Sequence, residues 1–499
     1  MERHRPISRR VFLAAPALVG LGRKTERPIT GSFVNDAFQL GHRLRDRAAF
    51  RAPARQQRIP IVIVGGGIAG LSAAWRLDKR GIRDFVLLEM ESQAGGNSRW
   101  GENEISRFPW AAHYVPVPAK GESLARELFE ELGVFRDGKW DERVLCFDPQ
   151  ERLFLYGRWQ EGIEPELAAT PKDREQYRRF NNKIADFRAT GQFTIPMERG
   201  AKPSPLDRLS MADWLAAEHF DSPALRWYVN YACRDDYGAL AKDTSAWAGI
   251  HYFASREPEE KGPLTWPEGN GWIAGQLLRK LGRYVQSGSV VYRVTPDKTK
   301  FRVLTEQTEY IADHVIFAAP TFLASYIIEG ATPAVGFQYS PWLTANLTLD
   351  RIPSQKGAEP AWDNVIYDSP ALGYVNATHM NVDTHIERTV WTYYWSLAEY
   401  TPQQARTLLL AKDWNYWKEA ILNDLAKAHP DIRQCVSHMD IMRLGHAMVR
   451  PAIGFVFSPE RKRWLEERGN LHFANSDLSG LSIFEEAQYR GVRAADRIR

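Results

Sequence analysis

The sequence predicts an α/β fold organised around a nucleotide-binding unit, and three observations predict it. The first is the stretch Ile61-Val-Ile-Val-Gly-Gly-Gly-Ile-Ala-Gly-Leu-Ser-Ala-Ala-Trp-Arg-Leu77. Four β-branched residues read as a short buried strand, and Gly65, Gly67 and Gly70 follow at G-x-G-x-x-G spacing. Ala69, Ala73, Ala74 and Leu77 then share one helical face. The second is Phe85-Val-Leu-Leu-Glu89, an apolar strand ending in an acid 19 residues beyond Gly70. The third is size: 499 residues with 44% hydrophobic content allow two or more domains and a large core.

Each part of the first unit has a physical role. Gly65 permits the tight turn, Gly67 lets a pyrophosphate approach the backbone, and Gly70 brings helix and strand together. The N–H groups of Ile68 and Ala69, in the first helical turn, are presented to the anion. Glu89 is placed to accept hydrogen bonds from a ribose diol, and an acid there argues against a ribose 2′-phosphate.

Net charge is +4, and residues 1–27 alone carry +5, so the rest carries −1. The basic character belongs to the N-terminal segment, and no basic body for nucleic acid is predicted. Ser8-Arg9-Arg10-Val11-Phe12-Leu13 resembles a twin-arginine export signal, followed by an apolar stretch to Leu21 too short to span a bilayer. The resemblance implies the twin-arginine export machinery as a partner, export in a folded state and a periplasmic location, with an uncleaved, membrane-associated leader as the alternative. Residues 28–58, basic and weakly patterned, read as a linker able to pack on the body. Cys146, Cys233 and Cys435 are far apart and read as buried thiols, with one disulfide still open. No H-E-x-x-H, Cys/His cluster or G-x-S-x-G is present, so no metal site and no serine triad are expected.

Past Glu89 comes Ser92-Gln-Ala-Gly-Gly-Asn-Ser-Arg99, and near the end Asn470-Leu-His-Phe-Ala-Asn-Ser-Asp477 precedes a helix pattern from Phe484 to Ile498. With the glycine fingerprint, these segments resemble the flavin-containing amine oxidoreductase superfamily, which includes monoamine and polyamine oxidases, protoporphyrinogen oxidase and phytoene desaturases. The resemblance implies a Rossmann-like FAD-binding domain of the GR2 type with a discontinuous α+β substrate domain. It places the FAD-binding domain in 59–115, 265–330 and 440–499 and the substrate domain in 116–264 and 331–439. It implies non-covalent FAD, with Gly95, Gly96, Asn97 and Ser98 at the phosphates, where Asn97 replaces an Arg. The backbone of Val291 or Val294, on a strand read over Ser289–Val294, would meet the adenine, and Asp477 the ribityl chain. Trp266-Pro-Glu-Gly-Asn-Gly-Trp272 resembles the segment opening the return to the FAD domain, and Ala312 to Pro320 the strand rising to the cofactor.

His113, Tyr114 and Phe484 are the catalytic candidates, because Phe108 to Pro116 runs where relatives approach the flavin ring and Phe484 opens the last helix. Tyr114, Trp247, His251, Tyr252, Trp391, Tyr393 and Phe484 are possible pocket walls. In the intervening regions, Val144-Leu-Cys-Phe and Arg152-Leu-Phe-Leu-Tyr suggest a hairpin. Asp235 and Asp236 either hold a cationic substrate or serve as a cap or local ion pair. The implied activity is oxidation of an amine or related small molecule by hydride transfer to flavin N5, with oxygen or an electron carrier as acceptor. Two alternatives stand beside it: a desaturase or isomerase of an apolar ring or polyene, and a non-catalytic exported flavoprotein or electron relay. An acid-lined entrance near Asp235 and Asp236 favours amines; a long apolar tunnel favours the desaturase.

Overall fold

Strand Ile61–Val64 is buried at every residue and lies at the centre of a five-stranded parallel sheet. The order is Val285–Gln286, Phe85–Leu88, Ile61–Val64, His314–Phe317, Leu471–Phe473. A computed structural model describes residues 28–34, 37–118, 123–167, 169–256, 262–382, 385–466 and 468–499; the twin-arginine-like leader lies outside the described residues. Both faces of the sheet are covered, as a parallel sheet requires. Ile61 and Ile63 pack with Trp75, Leu277 and Val492 from the helices Ile68–Lys79, Gly271–Leu281 and Phe484–Asp496. Val62 and Val64, pointing the other way, pack with Val303 and Tyr310 of a four-stranded sheet.

A second body is a seven-stranded sheet in the order Val436–Val449, Tyr339–Leu349, Thr389–Trp395, Gly373–Asn376, Asp363–Ile366, Glu151–Leu155, Arg158–Glu161. Helices Pro402–Ala411 and Trp414–Leu425 cover one face through Leu409, Trp417 and Ile421. A helical layer, Pro171–Ala189, Met211–Ala217, Pro223–Tyr237 and Ala246–Ala254, has its own core around Phe180, Trp214 and Trp247. Its longest helix is started by its own residues: Thr170 and Asp173 form a reciprocal capping box and Pro171 occupies the first turn.

Several expectations are revised. The segment 28–58 packs on the body and adds secondary structure of its own. Thr30 and Phe33 bridge the strand Val436–Val449, Phe38–Arg45 forms a helix, and Arg55–Arg58 adds a parallel edge strand against Thr308–Ala312. The boundary at 440 falls inside Val436–Val449, which pairs along its length with Tyr339–Leu349 of the seven-stranded sheet. The hairpin near 150 joins Glu151–Leu155 to Arg158–Glu161, because Tyr156 and Gly157 take positive φ and turn the chain there. Residues 289–292 are loop, and the strand begins at Arg293. All three cysteines are buried and free. Among the described residues, no helix is long and apolar enough to cross a membrane.

Candidate functional site

The main cavity encloses about 410 Å³ and runs from the carboxyl edge of the parallel sheet to the seven-stranded sheet and the helical layer. This edge is where open α/β sheets receive ligands.

At one end the wall is mostly backbone. Gly65 has φ +104° and a Cβ there would come within 2.9 Å of Ala319 N. A Cβ on Gly70 would meet Gly65 O at 1.9 Å, so Gly70 lies beneath the cavity as the helix–strand contact. A Cβ on Gly67 would find nothing nearer than Gly96 Cα at 3.9 Å, which leaves this face open. Gly67 is the N-cap of Ile68–Lys79 and supplies no capping side chain. The same is true of Ile483 at the helix Phe484–Asp496. Two uncapped helix starts therefore line one cavity, an arrangement that suits an anion. The two helices pack tightly: a Cβ on Gly491 would strike Ala69 O at 2.1 Å.

Glu89 ends its strand inside the cavity. Its carboxylate accepts from Gly66 N at 2.6 Å and Glu91 N at 2.7 Å, each oxygen keeping acceptor capacity for a hydroxyl. Burial raises its pKa above the ordinary carboxylate value, with the two N–H groups opposing. Gly95, Gly96, Asn97 and Ser98 line the same end, but the Asn97 amide donates to Ala447 O at 2.7 Å. One of its two amide N–H donors is thus used within the protein. Val290 and Val291 line the cavity, whereas Val294 does not; Val294 is fully buried and pairs across the strand with Val303. Asp477 also lines the cavity, yet Thr321 N, Thr321 Oγ1 and Tyr339 Oη each donate to it at 2.7 Å. It ties the C-terminal closure to the Ala318–Pro320 turn, so the ribityl contact expected of it would have to share a carboxylate with three donors.

These residues fit a dinucleotide: an open glycine face, two uncapped helix starts and a desolvated acid with spare acceptor capacity. Among the described residues, no cysteine lines the cavity.

At the other end the wall is side chains. His113 and Tyr114 are held by the turn after Leu264: Thr265 Oγ1 donates to His113 O at 2.7 Å and Asn270 Nδ2 to Tyr114 O at 3.0 Å. Gly269 has φ +55°, and a Cβ there would come within 2.6 Å of His113 Cα. The His113 ring stacks on Tyr394 with centroids 4.6 Å apart, and burial pushes its pKa down to about 4. It is a neutral imidazole at physiological pH. Phe484 lines the cavity and stacks on Phe129.

Asp235 and Asp236, at the end of Pro223–Tyr237, both line the cavity. Asp236 pairs with Arg256 at 3.2 Å, so the ion pair is made with a residue twenty positions away and not with neighbouring Arg234. Arg234 instead donates to Pro370 O and Ala371 O. Asp235 makes no hydrogen bond or ion pair among the described residues. Burial, then the Asp236 charge, push its pKa up to about 7, with Arg256 opposing.

Of the expected walls, Tyr114, His251 and Phe484 line the cavity, whereas Trp247, Tyr252, Trp391 and Tyr393 do not. On Thr389–Trp395 the cavity residue is Tyr394; Tyr393 faces away and donates to Asp424, and Trp391 stacks on Tyr374. A one-residue shift along a strand changes the face, and no pattern in so apolar a strand marks which face is inner. Sequence reasoning also missed Trp342, Leu444, His446, Ile195 and Arg256. Nothing local in the sequence marks any of them as a cavity residue. No cluster of three or more metal-ligating side chains occurs among the described residues.

Residues 63–132 match the family model of an NAD(P)-binding Rossmann-like domain. The chain is 38% identical over 222 residues to the Baeyer-Villiger monooxygenase peniC of Penicillium patulum, a match covering 42% of this chain and 34% of that protein. The chain thus spans about a third of the curated relative's length. Putrescine oxidase bound to putrescine superposes with a TM-score of 0.66 over 89% of this chain and 99% of that one, at 16% identity. The chain has the amine-oxidase fold. Cyclohexylamine oxidase from Brevibacterium oxydans has a TM-score of 0.65 at 15% identity, covering 88% and 98%. A fatty acid isomerase from P. acnes has a TM-score of 0.62 at 14% identity, also covering 88% and 98%.

Proposed function

We propose that the protein is an FAD-dependent oxidoreductase that oxidises an amine or related small molecule. The observation that carries the amine reading is Asp235, a carboxyl with no hydrogen-bond or ion-pair partner among the described residues, in the wall of a largely apolar cavity. The fold shared with putrescine and cyclohexylamine oxidases supports it, as does the nucleotide end described above.

A bound flavin would supply the hydride acceptor. The chain's own residues do the rest. Asp235 offers a cationic group a place to settle, and an arriving cation draws the carboxyl toward its charged form. The aromatic wall of Tyr114, Tyr394 and Trp342 excludes water and lowers the pKa of an amine beside it, favouring the neutral form from which hydride leaves. His113, neutral and stacked on Tyr394, orients that wall. Oxygen or an electron carrier would receive the electrons. Export through the twin-arginine machinery to the periplasm is proposed on Ser8 to Leu13 alone.

The apolar character of the cavity supports a second reading, an isomerase or desaturase of an apolar substrate, and the fatty acid isomerase shares the fold. One experiment separates them. The purified protein's absorbance spectrum is recorded before and after anaerobic addition of a mono-, di- and polyamine panel. Flavin bands released by acid precipitation and bleached by one amine are expected. Bands that no amine bleaches would sink the amine reading and leave the isomerase or an electron relay. A colourless protein that takes up no FAD would sink both.

A further inference from the structure

The nucleotide end has a charge to account for. A dinucleotide brings a diphosphate with about two negative charges, yet Arg256 is the only Lys or Arg among the described residues that line the cavity, and it pairs with Asp236 at the other end. Asn97 is uncharged and gives one of its two amide N–H donors to Ala447 O. The neighbour of Ala447 is His446, which lines the cavity and makes no hydrogen bond among the described residues.

Its placement is defined from two sides. The ring stacks on Phe322 with centroids 4.4 Å apart and an interplanar angle of 25°. Phe322 lies just past Ala318–Pro320, the turn against which Gly65 packs. On the other side, the Asn97–Ala447 bond joins the His446 strand to the Gly95–Ser98 turn. His446 is thus bracketed by the two turns that flank the open face of Gly67.

We propose that His446 is the side-chain contact for the diphosphate of the bound dinucleotide, supplying the positive charge that the glycine loop lacks. The proposal rests on the FAD reading above. The groups whose charge bears on His446 are Arg406, His42 and Arg45, with Asp46 paired to Arg45. Asp477 lies beyond Tyr339, whose ring meets the imidazole edge-on. This cationic surround attracts an anion. Burial first, and then these neighbouring charges, hold the free imidazole neutral, its pKa lowered to about 4. A diphosphate beside the ring raises that pKa, so binding takes up a proton and tightens as pH falls.

The test uses the full chain freed of bound flavin, with FAD, ADP-ribose and adenosine as probes. ADP-ribose carries the diphosphate and adenosine does not. In His446→Phe, which keeps a ring on Phe322, ADP-ribose affinity should fall roughly tenfold while adenosine affinity stays unchanged. Wild-type affinity for ADP-ribose should strengthen from pH 8 to pH 5, and the variant should be flat. Equal losses for ADP-ribose and adenosine would overturn the proposal by showing a merely structural role. So would an unchanged pH slope. If the wild type binds neither FAD nor ADP-ribose, the flavin reading itself fails.

Discussion

The two ends of the cavity are built from different materials. The nucleotide end is backbone: glycines without Cβ atoms, two uncapped helix starts and a strand-terminal Glu89. The other end is side chains delivered by distant segments, with Tyr114, Asp235, Trp342 and Tyr394 meeting across more than 250 residues of sequence. Backbone sites are intolerant of change because an added atom has nowhere to go. Side-chain sites exchange residues at little cost to the fold, which leaves specificity free to vary.

The harshest way to break this contrast is Gly70→Ala. A Cβ within 1.9 Å of Gly65 O cannot be relieved by a rotamer, since the obstacle is backbone. A loss of about 3 kcal/mol or more is expected, read as a fall in thermal midpoint together with loss of flavin. Next is Asp477→Asn, which leaves three donors around a group that can no longer accept from all of them. About 2 kcal/mol should be lost; a variant with the wild-type unfolding midpoint would show that this carboxylate does not hold the closure.

Asp235→Asn probes the opposite end. Burial lifts the folded carboxyl's pKa to about 7 from its ordinary 3.8. The fold therefore keeps a proton that the unfolded chain releases, and stability contributed by the protonated form is lost as pH rises from about 4 to about 7. The variant removes that loss. It should gain on the order of 1 kcal/mol at pH 8 and nothing at pH 4, while KM for a cationic substrate rises about tenfold and flavin content is unchanged. Denaturant titrations at the two pH values check the sign; a variant less stable at pH 8 would refute the assignment. The smallest effect sharpens the comparison as a reference: Lys172→Ala removes an exposed pair with Asp221 at 2.8 Å and should change stability by less than about 0.5 kcal/mol, with ligand binding untouched.

The same contrast explains what was legible. The strand, turn and helix from Ile61 to Leu77, the acid Glu89 and the helix from Phe484 could be read because each is local: a run of β-branched residues, a fixed glycine spacing, a 3.6-residue period. Asp235 could be flagged from composition, but its partner-free state could not. Val291 and Val294 were indistinguishable in sequence, since only the start of the strand at Arg293 decides which one lines the cavity. The segment 28–58 gave no periodic signal, because its edge strand and bridges borrow their partners from residues some 250 and 400 positions later.

By itself, then, the sequence determined the nucleotide-binding unit, whose geometry is dictated by backbone freedom and short-range spacing. The tertiary structure alone decided which rings face the cavity, that Asp236 pairs with Arg256 while Asp235 has no partner among the described residues, and that His446 lies between the Ala318–Pro320 and Gly95–Ser98 turns. Those facts depend on strand register and on contacts between segments far apart in the chain, and neither is encoded in any short stretch of residues.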